Sequence, residues 1–546
     1  MTRIDEDAER RMVPRWRLFS DATRLAELRP VAATIIRPTV NLEAVHKRIS
    51  DWRRERTLSF AGDVLGSAFA VSGLADVKEA AHYVLKHNDA SFPLRRIAQG
   101  VVGILPSDGI SQAYGKPDDV PNQIDSSGSN QHSDTLLSQQ RIAQLKKHLQ
   151  VAPSDAIGWS SLARDYAVLG QKRQALRAIS AAVTLAGANR FVLRSAVRGY
   201  VHFDDPDAAW SVLRRSGLVR SDPWLIAAEI ATAMITGRSP RTIKDARNVL
   251  ADKAFSPAQL TELASSLASL ELDAGANQRA RKLFRVAMQD PNDNSVAQAE
   301  WATRVGKLDA VGPLSLETAQ SFEARAWDKY ARGEWRGALA ESLSWLNDEP
   351  FSSRPAEFGL FVASVLVEDY SVAEYMGMRG LAANPKDQSV LNNLAFTLAS
   401  AGKVSAAVAI YERMEPALMS RDTVSAWLAT GGLIQFRLGA PDSGRELYQF
   451  AMDVAERTGA RTQCALAAAY LAREELLTDS PLGEMALRKA EALAEHSKWS
   501  VVRAVVARMR TNSETLRVMN TTGGGIPTHT ATRGHVSFVV PWKNGS

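Results

Sequence analysis

The sequence predicts an all-α protein built from stacked helical hairpins. Three observations favour this fold class: alanine and leucine dominate, glycine and proline cluster at intervals, and a small residue recurs every 34 to 37 positions through much of the chain. Glycine and proline interrupt helices, so their clusters mark the turns between helices. With 45% apolar and 23% charged residues, most of the chain is expected to fold.

The recurring small residue sets the repeat of the array. The first markers are spaced by 34, 37 and 34 residues and are Ala175, Ala209, Ala246 and Ala280. The second set is spaced by 35, 34 and 37 residues and consists of Ala338, Ala373, Ala407 and Gly444. An alanine lets two helices approach closely, whereas a larger side chain holds them apart. We therefore expect each marker where the two helices of a hairpin cross.

Two stretches carry the hairpin pattern most clearly. In each, apolar residues at i, i+3, i+4 and i+7 form one helical face, a glycine ends the helix, and the marker lies in the next helix. The first stretch contains Trp159, Leu162, Ala163, Tyr166, Gly170 and Ala175, and the second contains Leu391, Leu394, Ala395, Leu398, Gly402 and Ala407. The two stretches align without a gap.

These units resemble the tetratricopeptide repeat family, whose pattern is W-x2-L-G-x2-Y, then A-x3-F, then P over 34 residues. Pro153 and Pro385 lie six residues before the first helical face of their units, and Pro350 lies 12 after Ala338, where the family's proline ends the second helix. The resemblance covers roughly residues 136–460. It implies a TPR-like α-solenoid, a right-handed superhelix of helical hairpins whose first helices line a concave groove.

The predicted domain organisation has seven segments. They are an N-terminal helical region at 1–105, a flexible linker at 106–135, a first TPR-like sub-array at 136–306, a break or hinge at 307–317, a second sub-array at 318–460, C-terminal capping helices at 461–520 and a disordered tail at 521–546. The linker is rich in Gly, Pro, Ser and Asn. The break is expected because Ala280 and Ala338 are 58 residues apart, which interrupts the period.

The sequence contains no motif that predicts catalysis, a metal site or a cofactor. Neither a G-x-x-x-x-G-K-[ST] loop nor an H-E-x-x-H pair occurs, and Cys464 is the single cysteine, so no cysteine zinc cluster is expected. The N-terminus lacks the apolar stretch of a secretory signal, and no apolar run is long enough for a membrane span. We expect a cytoplasmic protein that is not an enzyme.

The resemblance places candidate partner-binding residues on the first helices, facing the groove. On the first sub-array these are Arg164, Arg194, Arg198 and His202, followed by the acidic Glu229, Glu262 and Asp273. On the second sub-array they are Trp327, Tyr330, Asn392, Phe396, Phe436 and Arg437. Aromatic and amide side chains suit an extended peptide or helix. Packing between repeats is an equally good explanation of Trp327, Tyr330 and Phe396.

The favoured function is a protein–protein interaction scaffold or adaptor that binds a peptide or protein partner in the groove. One alternative is nucleic-acid binding through the arginines of the first sub-array and the DWRRER stretch at 51–56. Such binding weakens steeply with salt, which separates it from peptide binding. Another alternative is a regulatory subunit of an effector encoded elsewhere, docked through the N-terminal region. Partner, pathway and oligomeric state do not follow from the sequence.

Overall fold

The computed structural model describes residues 11–18, 42–67, 75–87, a few positions between 90 and 102, and 129–521 with gaps at 253, 305, 307, 311 and 496–499. Every regular element in these ranges is a helix. The chain forms two compact units: an array unit, residues 1–31 and 126–546, and a small unit, residues 32–125. Most of the expected linker and the expected disordered tail lie outside the described residues.

The small unit contains three described helices, α1 (Leu42–Arg54), α2 (Leu58–Ser67) and α3 (Ala75–Lys86). Trp52 is fully buried, and its ring lies 4.9 Å from that of Tyr83. Arg53 pairs with Asp76 across the unit. The described part of this unit is therefore helical, as the sequence predicts for the N-terminal region.

The array unit is a succession of helical hairpins. In chain order, the helices of its first half are α4 (Ser129–Val151), α5 (Ala156–Val168), α6 (Lys172–Ala186), α7 (Arg190–His202), α8 (Pro206–Arg215), α9 (Pro223–Ile235), α10 (Ile243–Ala251), α11 (Pro257–Asp273), α12 (Asn277–Ala287) and α13 (Asp293–Arg304). Helix α4 begins inside the segment expected to be a linker.

The second half of the array unit continues the succession. Its helices are α14 (Pro313–Leu316), α15 (Phe322–Arg332), α16 (Trp335–Asp348), α17 (Ser353–Phe361), α18 (Tyr370–Ala383), α19 (Gln388–Ser400), α20 (Val404–Tyr411), α21 (Arg421–Arg437), α22 (Pro441–Arg457), α23 (Arg461–Leu477), α24 (Gly483–Glu495) and α25 (Ser500–Thr521). A π-helical segment at Val362–Val367 extends α17, and 3-10 turns occupy Leu218–Arg220 and Pro416–Leu418.

The marker residues lie at helix crossings, as their spacing predicts. No surface is exposed at the seven alanine markers, Ala175, Ala209, Ala246, Ala280, Ala338, Ala373 and Ala407. At Gly444, a Cβ atom would lie 2.4 Å from Cδ2 of Phe436 and 3.0 Å from the carbonyl oxygen of Gly432. The array unit is therefore a TPR-like α-solenoid whose repeat is set by close helix approach.

The two stretches that align in sequence also begin and end alike. Asp155 caps α5 and Asp387 caps α19, each accepting hydrogen bonds from the second and third amides after it. Gly170 and Gly402 follow these helices with φ of +66° and +78°, a backbone conformation that favours glycine.

The expected break at 307–317 is a hairpin whose second helix is reduced to the single turn α14. Gly312 lies just before that turn, and Pro313 is its first residue. Helix α13 packs directly against α15, so the stack of first helices continues across the break.

The array closes on itself, which the sequence did not predict. Helix α18 packs against α4 and α5. A Cβ atom on Gly170 would lie 2.7 Å from the carbonyl oxygen of Ala382 in α18. Arg164 of α5 donates to the carbonyl of Asp348 at the end of α16 over 2.9 Å. The turn of the solenoid encloses a central space, here called the lumen, between α5, α7, α13, α15 and the α16–α17 turn.

Candidate functional site

Residues 11–18 of the same chain, RMVPRWRL, lie in the lumen and are called the plug. Met12, Val13 and Trp16 are almost completely buried and belong to the same hydrophobic core as α5, α7 and α9. Pro14 cannot donate a backbone hydrogen bond and disfavours a helix at the residue before it. Residues 14–18 accordingly have no regular secondary structure.

Trp16 fills a socket in the wall of the lumen. Its ring centroid lies 5.1 Å from that of Phe351 in the α16–α17 turn. A Cβ atom on Gly199 of α7 would lie 3.1 Å from the indole ring, so a side chain at this position would crowd it. The carbonyl of Trp16 accepts a hydrogen bond of 2.8 Å from Nε of Arg164.

Asn294 of α13 binds the main chain of the plug. Its Nδ2 donates to the carbonyls of Arg11 and Val13 over 3.3 and 3.0 Å. Gln298 donates to Oδ1 of Asn294 over 2.6 Å, and Ser269 donates to Oε1 of Gln298 over 2.9 Å. This chain of hydrogen bonds orients the asparagine amide so that its NH₂ group faces the plug.

Arg15 is surrounded by three carboxylates from different helices. Its Nε lies 3.0 Å from Asp293, its Nη2 lies 2.7 Å from Glu323, and its Nη1 lies 3.3 Å from Glu349. All four side chains are at most 10% exposed. Arg15 therefore joins the plug to α13, α15 and the α16–α17 turn at one point.

Arg17 makes a second set of ion pairs beside the first. Its Nε and Nη2 donate to the two oxygens of Asp348 over 2.8 and 2.6 Å, and Nη2 lies 2.8 Å from Asp293. Burial opposes ionisation of Asp293, but Arg17 and Arg15 outweigh it and lower the pKa of this carboxyl group. Arg11 adds a pair with Glu323 at 3.4 Å.

The carboxylates of the lumen stay ionised because cations from the plug and the array surround them. Burial raises the pKa of Glu323, but the charges of Arg354 and Arg15 lower it to about 2 overall. Burial also opposes ionisation of Glu349, yet Arg198 and Arg15 hold its pKa well below the usual range. The plug thus contributes directly to the electrostatic balance of the site.

Glu300 of α13 behaves in the opposite way. Burial raises its pKa to about 7, against the attraction of Arg304, whose Nε lies 2.8 Å from Oε1. The guanidinium of Arg304 also lies 4.1 Å from the ring centroid of Trp327. A titratable carboxyl group therefore lies in the wall beside the plug.

All three arginines predicted for the first sub-array are buried, and two of them, Arg164 and Arg198, line the lumen. Arg164 donates to the plug, and Arg198 pairs with Glu349 at 3.3 Å and lies 5.4 Å from the ring centroid of Phe351. His202 contacts the same phenyl ring, with centroids 5.3 Å apart. Arg164, Arg198 and His202 are thus brought together around the plug.

Arg194 forms part of a different contact. It pairs with Glu262 of α11 at 2.9 Å and lies 4.9 Å from the ring centroid of Trp224. Arg194 and Glu262, which the sequence places on oppositely charged parts of the groove, therefore neutralise each other.

The residues projected onto the second sub-array occupy several environments. Trp327 is buried, and its ring centroid lies 5.8 Å from the guanidinium of Arg11 in the plug. The others comprise the buried Asn392, Phe396 and Phe436 and the half-buried Tyr330 and Arg437. Phe396 packs edge-to-face on Tyr470 of α23 with centroids 4.9 Å apart. A partner contact by this second set stays a prediction.

Several residues of the site were not predicted from the sequence. They are Arg11, Arg15, Trp16 and Arg17 of the plug, and Asp293, Asn294, Glu323, Asp348, Glu349 and Phe351 of the array. The one available signal was the R-W-R triplet after Pro14, an unusual concentration of residue types that dominate binding interfaces.

An open cavity of about 740 Å³ adjoins the plug. Arg11 and Trp327 line it on the plug side, and the exposed Lys172 and Lys386 line it elsewhere. This cavity connects the lumen to solvent.

Two classes of site are absent from the described part of the chain. It contains no group of three or more side chains that could hold a metal ion. None of its helices is long and apolar enough to span a bilayer.

No protein-family model matches the sequence, and no curated protein matches it. Among solved structures, the chain is similar to the crystal structure of yeast Tom70, with 13% identity, 85% of this chain and 96% of that chain covered, and a TM-score of 0.27. It is also similar to the crystal structure of the APC/C hetero-tetramer Cut9-Hcn1, with 12% identity, coverage of 85% and 92%, and a TM-score of 0.35.

Proposed function

We propose that the protein is an interaction scaffold, not an enzyme, and that its lumen binds an extended segment of a protein partner. The observation that carries this proposal is the plug. The array binds an eight-residue segment through its side chains and through three of its carbonyls, those of Arg11, Val13 and Trp16. Contacts to the main chain hold a peptide in place, and pockets for its side chains select its sequence.

The composition of the plug also supports a binding role. Its residues include one tryptophan and three arginines, the types that contribute most energy at protein interfaces. Trp16 occupies a closed socket, and the guanidinium of Arg15 is desolvated among carboxylates. A partner with similar side chains would find the same pockets.

Nucleic-acid binding by the first sub-array has less support. Phosphate contacts need cations that face solvent. Arg164, Arg194 and Arg198 are buried, and they are engaged by carbonyl groups, Glu262 and Glu349 respectively. In the small unit, Arg53 and Arg54 remain more than half exposed. Nucleic-acid binding through the DWRRER stretch therefore stays an alternative.

A regulatory subunit is the second alternative. The division of the chain into two units supports it, because each unit could contact a different protein. The small unit has its own buried core around Trp52, separate from the array unit. In this version of the proposal, the array captures one protein while the small unit contacts another. A cytoplasmic location stays an expectation from the sequence.

The proposal is tested by cross-linking the full chain to proteins that co-purify with it. A lysine-reactive reagent should join a partner to Lys172 and Lys386 beside the lumen. Lys282, exposed on the second helix α12, is the matched reference position. Cross-links that favour Lys282 over both cavity lysines would contradict binding in the lumen. Recovery of RNA or DNA that is lost steeply with salt would favour the alternative.

A further inference from the structure

The array does not neutralise the lumen by itself. Four carboxylates contact the plug, those of Asp293, Glu323, Asp348 and Glu349. The array contributes Arg354 to Glu323 and Arg198 to Glu349. Among the described ion pairs, the array thus supplies a cation to Glu323 and Glu349, whereas Asp293 and Asp348 pair with arginines of the plug.

We propose that the lumen is a receptor for protein segments with two arginines flanking a tryptophan, and that the plug is an internal copy of this ligand which a partner displaces. This inference rests on the proposed function and specifies the partner. It also makes partner binding an exchange of one occupant for another.

The charge of the lumen selects a basic replacement. Asp293 and Asp348 are only 10% and 13% exposed, and both pair with Arg17. If the plug left and an apolar or acidic segment replaced it, these carboxylates would stay buried without that counter-charge, which is strongly unfavourable. Arginine suits the site better than lysine, because its planar group pairs with both oxygens of Asp348 at once.

The spacing of the side chains selects the order Arg-Trp-Arg. Both Arg15 and Arg17 contact Oδ2 of Asp293, so positions separated by two residues point to the same wall. Trp16 between them enters the socket beside Gly199 and Phe351. Alternation of this kind is expected of an extended peptide. A tryptophan in either arginine position could not make the ion pairs of that arginine, and it would point away from the socket.

Exchange of the plug for a partner changes how the small unit is connected to the array. Along the chain, the small unit, residues 32–125, follows the plug and precedes the array helices, so both of its ends continue into the array unit. Displacing the plug leaves the small unit joined to the array through one connection. Because the plug belongs to the same chain, it competes with every partner without having to associate from solution, and a partner must bind tightly to displace it.

The test uses the full chain and a labelled peptide that copies residues 11–18. In an opened variant, Arg15→Ala with Trp16→Ala, the peptide should bind at least ten-fold more tightly than in the unsubstituted chain, because the internal competitor is weakened. A control peptide with glutamate at both central arginines should not bind. Adding Asp348→Asn to the opened variant should weaken binding about ten-fold.

A second measurement protects the test against an opened variant that fails to fold. In the unsubstituted chain, an isotope-labelled copy of the peptide should increase hydrogen exchange of the amides of residues 11–18, and the glutamate peptide should not. The inference is overturned if a folded opened variant binds both peptides equally or neither, or if millimolar peptide leaves the exchange of these amides unchanged.

Two further outcomes are decisive. A concentration-dependent dimer in which two copies exchange plugs would replace the partner by a second copy and overturn the inference. A partner that cross-links to Lys172 and Lys386 but binds equally well when its arginines are replaced would also overturn it, and the proposed function would survive.

Discussion

Arg15 donates a hydrogen bond to Glu323 over 2.7 Å, although the two residues are 308 positions apart in the chain. This pair joins the N-terminal segment to the second half of the array, and Asp293 and Glu349 contact the same guanidinium. The plug is therefore part of the array's core. The stability of the array should depend on it.

Replacing Arg15 should destabilise the array strongly. Arg15→Ala removes one cation from three buried carboxylates, those of Asp293, Glu323 and Glu349. Loss of one partner from a buried pair costs about 3–5 kcal/mol. Urea denaturation followed by circular dichroism measures the change in the free energy of unfolding.

The matched control for Arg15 is Arg332→Ala. Arg332 pairs with Asp328 on the surface and is 55% exposed, so its loss should cost no more than about 1 kcal/mol. Equal effects of the two substitutions would show that Arg15 does not occupy the lumen.

Trp16 should be a packing anchor that depends on Phe351. Trp16→Ala removes a fully buried ring and should cost about 3–5 kcal/mol. A double-mutant cycle with Phe351→Leu should give a coupling of about 0.5–1.5 kcal/mol, as expected of packed aromatic rings. Additive effects within 0.3 kcal/mol or so would argue against the ring contact.

The marker position Ala407 should not accept a large side chain. Ala407→Trp inserts an indole at a fully buried helix crossing and should destabilise the array by about 1–3 kcal/mol or more. The neighbouring Ala406 is exposed in the same helix, and Ala406→Trp is the control. If the two variants melt at the same temperature, the assignment of the repeat is incorrect.

Acid should remove the stabilisation from Glu323. Its pKa is lowered from 4.5 to about 2 in the folded chain, so its contribution is complete above pH 4.5 and is lost as the pH falls towards 2. The stability difference between the unsubstituted chain and Glu323→Gln should therefore shrink over this interval. Urea titrations at constant ionic strength measure it, and a difference that grows on acidification would contradict the assigned ion pairs.

Glu300 should give the opposite pH dependence. Its pKa is raised from 4.5 to about 7, so the folded state holds the proton more tightly and loses stability as the pH rises from 4.5 through 7. Glu300→Gln removes this loss and should gain about 1–3 kcal/mol relative to the unsubstituted chain between pH 5 and 8. The same titration series checks the sign, and a constant difference would indicate an ordinary carboxyl group.

The local part of the fold was predictable from the sequence. The repeat length can be read from marker residues such as Ala175 and Ala407, because a helix crossing excludes larger side chains at the same place in each repeat. The turns appear in Gly170 and Gly402 because their backbone conformation favours glycine. These constraints act over a few residues and therefore leave a pattern.

The closure of the array and the plug were not predictable in the same way. Whether Arg164 faces solvent depends on the opposite wall, which is supplied by residues almost 200 positions away. The helical pattern alone therefore predicts Arg164 and Arg198 on an open groove, whereas the structure buries both. A pairing such as Arg15 with Glu323 has no periodicity, so a single sequence does not mark it.

The most direct test of the account is photo-cross-linking from position 16 in the full chain. With benzoylphenylalanine in place of Trp16, the lumen assignment predicts cross-links to the peptides that contain Gly199 and Phe351, whose side chains and backbone surround the indole. Cross-links confined to residues 42–87 of the small unit, or to a second copy of the chain, would contradict the placement of the plug and the functions derived from it.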